Sequence, residues 1–450
     1  MAILSKPDVP RFSVDVYQNA YLPEGAREVN AVVTVTASGG ATLSGPAGSG
    51  GSGGGPDAAV VIMVDCSGSM DYPPAKMRGA REATAAAIDT LRDGVRFAVV
   101  AGTHVAREVY PGDGRLAAAG PETRAQAQQA LRRLTAGGGT AIGAWLRLAD
   151  RLLSSADATI RHGVLLTDGR NEHETPERLT AALEHCAGRF TCDARGVGTD
   201  WEVKEVTQIA SALLGTADIV ADPEHLAADF TSMMETAMGK GVADVALRLW
   251  TPAGARVRFV KQVAPSVEDL TDRRTEAGPR AGDYPTGSWG DESRDYHVCV
   301  EVPPADIGRE MLAARVSLVV PHADGGADAL GAQGLVRAVW TDDLAASTSL
   351  DPQVAHYTGQ AELAEAIQQG LEARKAGDMD AATAKLGRAV QLAGLSGNAD
   401  TAKLLSKVVD VVDEAAGTVR LKTKVAEADE MTLETRSTKT VRVTRRPNEQ

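Results

Sequence analysis

The sequence predicts an α/β fold: a doubly wound domain inserted in an antiparallel β-sandwich and followed by a small α-helical bundle. Three observations predict it. Between residues 57 and 240, short apolar runs alternate with stretches of helical periodicity, the pattern of a sheet covered on both faces. On either side, at 1–40 and 241–346, strand signals occur without helices between them. From 355 to 417 the chain turns Ala-rich, with apolar residues at helical spacing.

Taken in order, 11–17 and 28–37 alternate apolar and polar residues as half-buried strands do. Two strands do not make a stable domain, so they must pair with strands from elsewhere in the chain. Residues 41–56 form a Gly/Ser-rich linker, with nothing but Gly and Ser from Gly48 to Gly55. No Gly-Lys-Ser/Thr follows, which disfavours a phosphate-cradling loop. Val60 to Val64 is a fully apolar, mostly β-branched strand, and a helix follows over 74–91 with Ala80, Ala83, Ala87, Ile88 and Leu91 on one face. Strands at 96–102 and 103–109, helices at 122–134 and 142–153, a second apolar strand at Val164 to Leu166, a helix entered at Thr175-Pro176, a strand at 191–197, a helix at 201–214, a short edge strand at 217–220 and a helix at 223–238 complete the domain. Five further strands, at 244–250, 256–263, 296–302, 312–320 and 335–341, join the two N-terminal ones in a seven-stranded sandwich.

In the helical region, Leu371, Ala382, Leu386, Ala389, Val390, Leu392 and Ala393 mark two helices, with Leu404, Leu405, Val408, Val411 and Val412 on a third. The stretch from Gly377 resembles one tetratricopeptide helix pair; a single unit does not make a repeat array, so a three-helix bundle is the expectation. Residues 418–450 read as a disordered basic tail, with five basic and no acidic residues from Arg436 to Arg446. Thr435, Thr438, Thr440 and Thr444 are the candidate phosphorylation sites there, which would suit a Ser/Thr kinase and a phosphopeptide-binding module.

The chemistry concentrates at strand ends. Asp65-Cys66-Ser67-Gly68-Ser69 closes the first apolar strand, placing a carboxylate and two hydroxyls at the sheet edge where α/β folds bind ligands. Thr140 follows Gly137-Gly138-Gly139 on a loop before a helix, and Asp168 ends the second apolar strand. Oxygen donors of low total charge suit a hard divalent cation, Mg²⁺ before Ca²⁺. Catalysis is poorly supported: no Gly-x-Ser-x-Gly elbow surrounds Ser67 or Ser69. His162, His173 and His185 lack metal-ligand spacing with the cysteines, and Cys66 reads as a buried filler. The order and spacing of these loops resemble the von Willebrand factor A domain and its metal-ion-dependent adhesion site, a Rossmann-like fold. The resemblance covers about 57–240. Carried over residue by residue, it implies a metal held by Asp65, Ser67, Ser69, Thr140 and Asp168, with Mg²⁺ the expected ion and Mn²⁺ or Ca²⁺ alternatives. It also implies a protein partner that completes the coordination with a carboxylate.

Composition bounds the setting. Lys plus Arg number 47 against 60 Asp plus Glu, a net charge of −13 without a basic stripe, which argues against nucleic acid. Four scattered cysteines make no disulfide framework, and no run of 18 apolar residues marks a membrane span. The expectation is a cytoplasmic protein of bacterial type without enzymatic activity, a Mg²⁺-dependent scaffold in signalling or stress response. An adaptor for an AAA+ ATPase is the alternative, and a purely structural metal role the least informative one.

Overall fold

The structure, a computed structural model, describes residues 10–39, 57–322 and 324–442; the Gly/Ser-rich segment expected as a linker lies outside them. The chain forms two compact units. One comprises Gly39–Ala243 with Gly287–Gly290, the other Pro10–Ser38, Asp244–Thr286 and Asp291 onward. The strands that open the chain, β1 (Arg11–Gln18), β2 (Tyr21–Leu22) and β3 (Glu28–Ser38), belong to the second unit.

The first unit is built on β4 (Ala58–Asp65), whose eight residues are all buried. A run with no polar side chain before its last residue suits only the middle of a sheet covered on both faces. After it come α1 (Ala75–Thr90), β5 (Arg96–Gly102), β6 (Ala106–Tyr110), β7 (Ala117–Ala118), α2 (Pro121–Leu131), α3 (Ile142–Ser154), β8 (Ile160–Thr167), α4 (Pro176–Cys186), β9 (Thr191–Val197), α5 (Val203–Ala212), β10 (Ala217–Val220) and α6 (Leu226–Met238). The sheet runs β10-β9-β8-β4-β5-β6, with β7 also on β5. β4 pairs in parallel with both β5 and β8, while β6 returns antiparallel. Helix α1 buries Met77, Ala80, Ala83, Ala87 and Ile88 in a core that also holds Phe230, Met233 and Met234 of α6. Helix α4 begins as its Thr-Pro start requires, the Thr175 hydroxyl accepting from Arg178 N.

In the second unit follow β11 (Val242–Trp250), β12 (Arg256–Ala264), β13 (Glu268–Asp269), β14 (Thr275–Glu276), β15 (Ala281–Trp289), β16 (Glu292–Glu301), β17 (Glu310–Pro321) and β18 (Ala327–Trp340). They and the N-terminal strands make two sheets, β1-β3-β16-β12-β13 and β14-β15-β11-β17-β18-β2. The α/β domain is therefore inserted between β3 and β11 of a sandwich, the predicted fold class. The sheets approach closely at Gly334, where a Cβ would stand 2.5 Å from Val16 Cγ2 and 2.9 Å from Val14 Cγ1. The sandwich has more than the seven strands expected. Strand β15 in particular escapes the sequence reading because Gly282, Pro285 and Gly287 interrupt it.

Helices α7 (Leu344–Thr348), α8 (Pro352–Lys375), α9 (Met379–Ser396) and α10 (Ala399–Val408) follow. Two corrections then apply. Val411 and Val412 lie not on a third helix but on β19 (Val409–Asp413), paired with β20 (Thr418–Leu421). The β-branched run from Val408 favours the extended chain. The second concerns the tail, expected to be disordered from residue 418. Through residue 442 it is folded: β20 leads to α11 (Glu427–Arg436), and Val419 and Leu433 enter the same core as Leu363, Ile367, Leu386 and Val390. On the acidic face of α11, Lys375–Glu434 at 2.6 Å and Lys407–Asp429 at 2.7 Å add exposed ion pairs. No described helix is long and apolar enough to cross a membrane.

Candidate metal and partner-binding site

The parallel register of β4 and β8 sets Val64 beside Leu166, so Asp65 and Thr167 end their strands side by side. The Thr167 hydroxyl donates to Asp65 Oδ2 at 2.7 Å, and Ser67 N donates to Asp65 Oδ1 at 2.7 Å. Both donors are neutral. Burial of the carboxylate therefore dominates and pushes its pKa up to about 6, with Asp168 adding to the rise and the Ser67 and Thr167 hydrogen bonds opposing it. On the next turn the Ser67 and Ser69 hydroxyls lie 2.9 Å apart, and Ser69 Oγ donates to Asp168 Oδ1 at 2.8 Å.

Thr140 is brought in by backbone ties. Gly137 N donates to Cys66 O at 2.8 Å and Gly68 N to Gly138 O at 2.9 Å, locking the two loops together. Two of the loop's glycines are required: Gly138 has φ +86, and a Cβ on Gly139 would stand 2.0 Å from the His173 ring. His173 Nδ1 accepts from Thr140 N at 3.3 Å, and His104 Nδ1 from Gly139 N at 3.4 Å. Asn171 fastens the same loop to the Asp168 loop, its Oδ1 accepting from Ile142 N at the start of α3 at 2.8 Å.

The three hydroxyls converge. A Cβ on Gly169 would lie 3.0 Å from Ser69 Oγ, 3.3 Å from Thr140 Oγ1 and 3.6 Å from Ser67 Oγ. One point beside Asp168 is thus ringed by hydroxyl oxygens from two loops, and the Asp168 carboxylate of the third is bonded to one of them, a donor set that fits a hard divalent cation. Among the described residues no group of three or more His, Cys, Asp or Glu is placed to hold a metal, so a softer nitrogen or sulfur site has no counterpart there. The cluster brings together Asp65, Ser67, Ser69, Thr140 and Asp168. Cys66, in its midst, is inert, since burial pushes its thiol up to about 12.

Lys76 was not anticipated. Its Nζ donates to Asp168 Oδ2 at 2.8 Å and to Asp200 Oδ2 at 2.7 Å. Burial alone would lower its pKa, but the two carboxylates hold it above the usual lysine value. A basic residue in the first turn of a helix, against the dipole, was the signal available in the sequence. Thr167 also escaped notice, although it directly precedes Asp168.

Comparison with known proteins agrees with this geometry. The von Willebrand factor type A domain family matches residues 58–219, and its C-terminal domain family matches 391–437. A solved structure, the von Willebrand factor type A protein from Catenulispora acidiphila, is 53% identical over 98% of this chain and 99% of that one, with a TM-score of 0.90. The chain belongs to the von Willebrand factor type A family. Domains of this family commonly bind divalent metal ions and protein partners through their adhesion site. The ArnB paralog VWA2 from Sulfolobus acidocaldarius, 14% identical over 95% of this chain and 98% of that one (TM-score 0.59), shares the fold. So does the human COPII-coat protein Sec24c, 11% identical over 86% of this chain and 57% of that one (TM-score 0.53). No curated protein matches the chain significantly.

The tail threonines are placed differently from a free peptide. Thr435 is buried on α11, its hydroxyl bonded to Met431 O at 2.8 Å. Thr440 Oγ1 donates to Val263 O at 2.6 Å, and Thr438 O accepts from Val267 N at 2.8 Å. Thr444 lies outside the described residues.

Proposed function

We propose that this von Willebrand factor A protein is a non-enzymatic, metal-dependent binding scaffold, holding one Mg²⁺ through Asp65, Ser67, Ser69, Thr140 and Asp168. The convergence of the three hydroxyls beside Asp168 carries this reading. Bound there, the ion supplies an electrophile that attracts a carboxylate of a protein partner. The chain's own residues hold and frame it. Thr167 and Ser67 N orient Asp65, and the Gly137–Gly139 backbone fixes Thr140. His104 and His173, both exposed, use Nδ1 to accept backbone N–H groups, which leaves each Nε2–H to donate to the partner's acidic group. A cytoplasmic role in signalling or stress response is the setting we assign to such a scaffold.

Calorimetry tests the site. Wild-type protein is expected to bind one Mg²⁺ or Mn²⁺, and Asp65→Ala none, with the fold of the variant checked by circular dichroism. Unchanged affinity in the folded variant would overturn the assignment.

A further inference from the structure

Lys76 occupies an improbable position for a cation. It lies in the first turn of α1, at the positive end of the helix dipole, and is only 5% exposed. Its two carboxylates explain how it is tolerated there, but they differ in kind. Asp168 is fully buried and belongs to the proposed metal site; the Asp200 side chain is 65% exposed on the loop before α5. Gly198, at φ +68, carries that loop past the lysine, its Cβ position 3.5 Å from Lys76 Cε. The Asp168 carboxylate is divided as a result, Oδ1 accepting from Ser69 and Oδ2 from Lys76.

We propose that Lys76 is a built-in counter-cation that weakens the site's hold on a divalent ion and thereby makes that hold depend on a partner's carboxylate. The inference rests on the metal-site reading given above. Asp65 and Asp168 bring two negative charges, enough to neutralise a divalent ion between them. Lys76 offsets one of these, and the exposed Asp200, screened by solvent, cancels only part of the lysine charge, so ion and site together carry a residual positive charge that an incoming carboxylate neutralises. Ion and partner then bind cooperatively, each raising the other's affinity by the same factor. Asp200 meets the ammonium from the solvent side, so its removal leaves the full lysine charge facing Asp168. A lysine needed only to support the loops would act in the opposite sense, because its loss would disorder Asp168 and weaken metal binding.

The sign of the change in metal affinity therefore decides the matter. Mg²⁺ titration by calorimetry, repeated with Mn²⁺ by electron paramagnetic resonance, is applied to the full chain and to Lys76→Met, Lys76→Gln, Lys76→Arg and Asp200→Asn, each checked for folding by its thermal melt. Lys76→Met and Lys76→Gln are expected to bind the ion roughly tenfold tighter or more, the effect of removing one nearby unit charge in a partly buried site. Lys76→Arg keeps the charge and should stay within about threefold of wild type, and Asp200→Asn, which removes a negative charge, should bind no tighter than wild type. Gln retains hydrogen-bonding capacity toward both carboxylates, so it decides the question if Met prevents folding. Unchanged or weaker binding in the folded Gln or Met variant, with wild type binding normally, overturns the counter-cation while leaving the metal site intact. Tighter binding by Asp200→Asn overturns it too. Absence of saturable binding in wild type and all variants overturns both readings.

Discussion

Asp65 of the α/β unit and Asp295 of the sandwich unit are the same side chain at nearly the same burial, 0% and 3% exposed. Their surroundings differ in kind. Asp295 on β16 is met by charge and by hydroxyls: Arg442 donates Nη2 to Oδ1 at 2.8 Å and Nε to Oδ2 at 3.0 Å, Thr34 Oγ1 donates at 2.7 Å, and the Tyr357 hydroxyl at 2.5 Å. Asp65 accepts from a backbone N–H and from the Thr167 and Ser67 hydroxyls, all neutral donors. A buried carboxylate surrounded by donors and a guanidinium is finished chemistry, whereas one left with neutral donors is raised in pKa and retains an unmet demand for a cation. Asp65 and Asp295 are told apart by compensation, not by burial.

The largest expected effect comes from breaking the compensated site. Asp295→Ala leaves Tyr357, Thr34 and Arg442 without their acceptor and is expected to cost about 4 kcal/mol, read by urea denaturation. A loss below about 1 kcal/mol would show that the cluster is ornamental. His297, two residues along β16, sharpens the contrast from the other side. Burial, with Lys261 adding to it, lowers its pKa from 6.5 to about 4, and its ring faces Phe259 edge-on while Nε2 shares a hydrogen bond with Asn30 Oδ1 at 3.0 Å. Below pH 6.5 the unfolded chain takes up a proton that the folded chain refuses. The contribution is therefore intact above 6.5 and is lost as pH falls toward 4, about 3 kcal/mol in all. His297→Gln is expected to flatten that limb of the stability–pH curve; an unaltered limb would place the acid sensitivity elsewhere.

At Asp65 the sign should reverse. Removing a charge that the fold buries without a counter-ion relieves the protein, so Asp65→Asn in chelator is expected to be more stable by about 2 kcal/mol while losing Mg²⁺ binding. Paired melts with and without Mg²⁺ measure both at once. If Asp65→Asn melts below wild type in chelator, the distinction drawn between the two aspartates fails.

The same distinction explains what the sequence disclosed. Asp65, Ser67, Ser69, Thr140 and Asp168 were legible because strand ends and glycine loops are local signals, and a parallel sheet gathers its carboxyl ends at one edge. Lys76 was not, since on the helix pattern it reads as one more polar position, and only the fold brings Asp200 to it. Helix α11 was missed for a related reason. It buries Met431, Leu433 and Thr435, too few apolar groups to show a period, and Leu433 enters a core shared with Leu363, Ile367, Leu386 and Val390, which lie far back in the chain. The basic run after it looked like a free peptide because Asp295, which binds Arg442, is 147 residues away.

The smallest effect concerns that last contact. Arg442 makes two hydrogen bonds to Asp295, yet its side chain is 41% exposed, so solvent screens the pair. Removing the arginine leaves Asp295 with the Tyr357 and Thr34 hydroxyls and opens a path for water to the carboxylate, whereas removing the aspartate strands three donors. Arg442→Gln is therefore expected to cost about 1 kcal/mol, a fraction of the Asp295→Ala loss. The backbone around it should stay in place, because Thr440 N still donates to Pro265 O at 3.0 Å and His356 Nε2 lies 2.8 Å from Val441 O. A double-mutant cycle with Tyr357→Phe apportions the carboxylate's support between hydroxyl and guanidinium. If Arg442→Gln alone costs as much as Asp295→Ala, the guanidinium is the decisive partner, and charge compensation at Asp295 is stronger than its exposure allows.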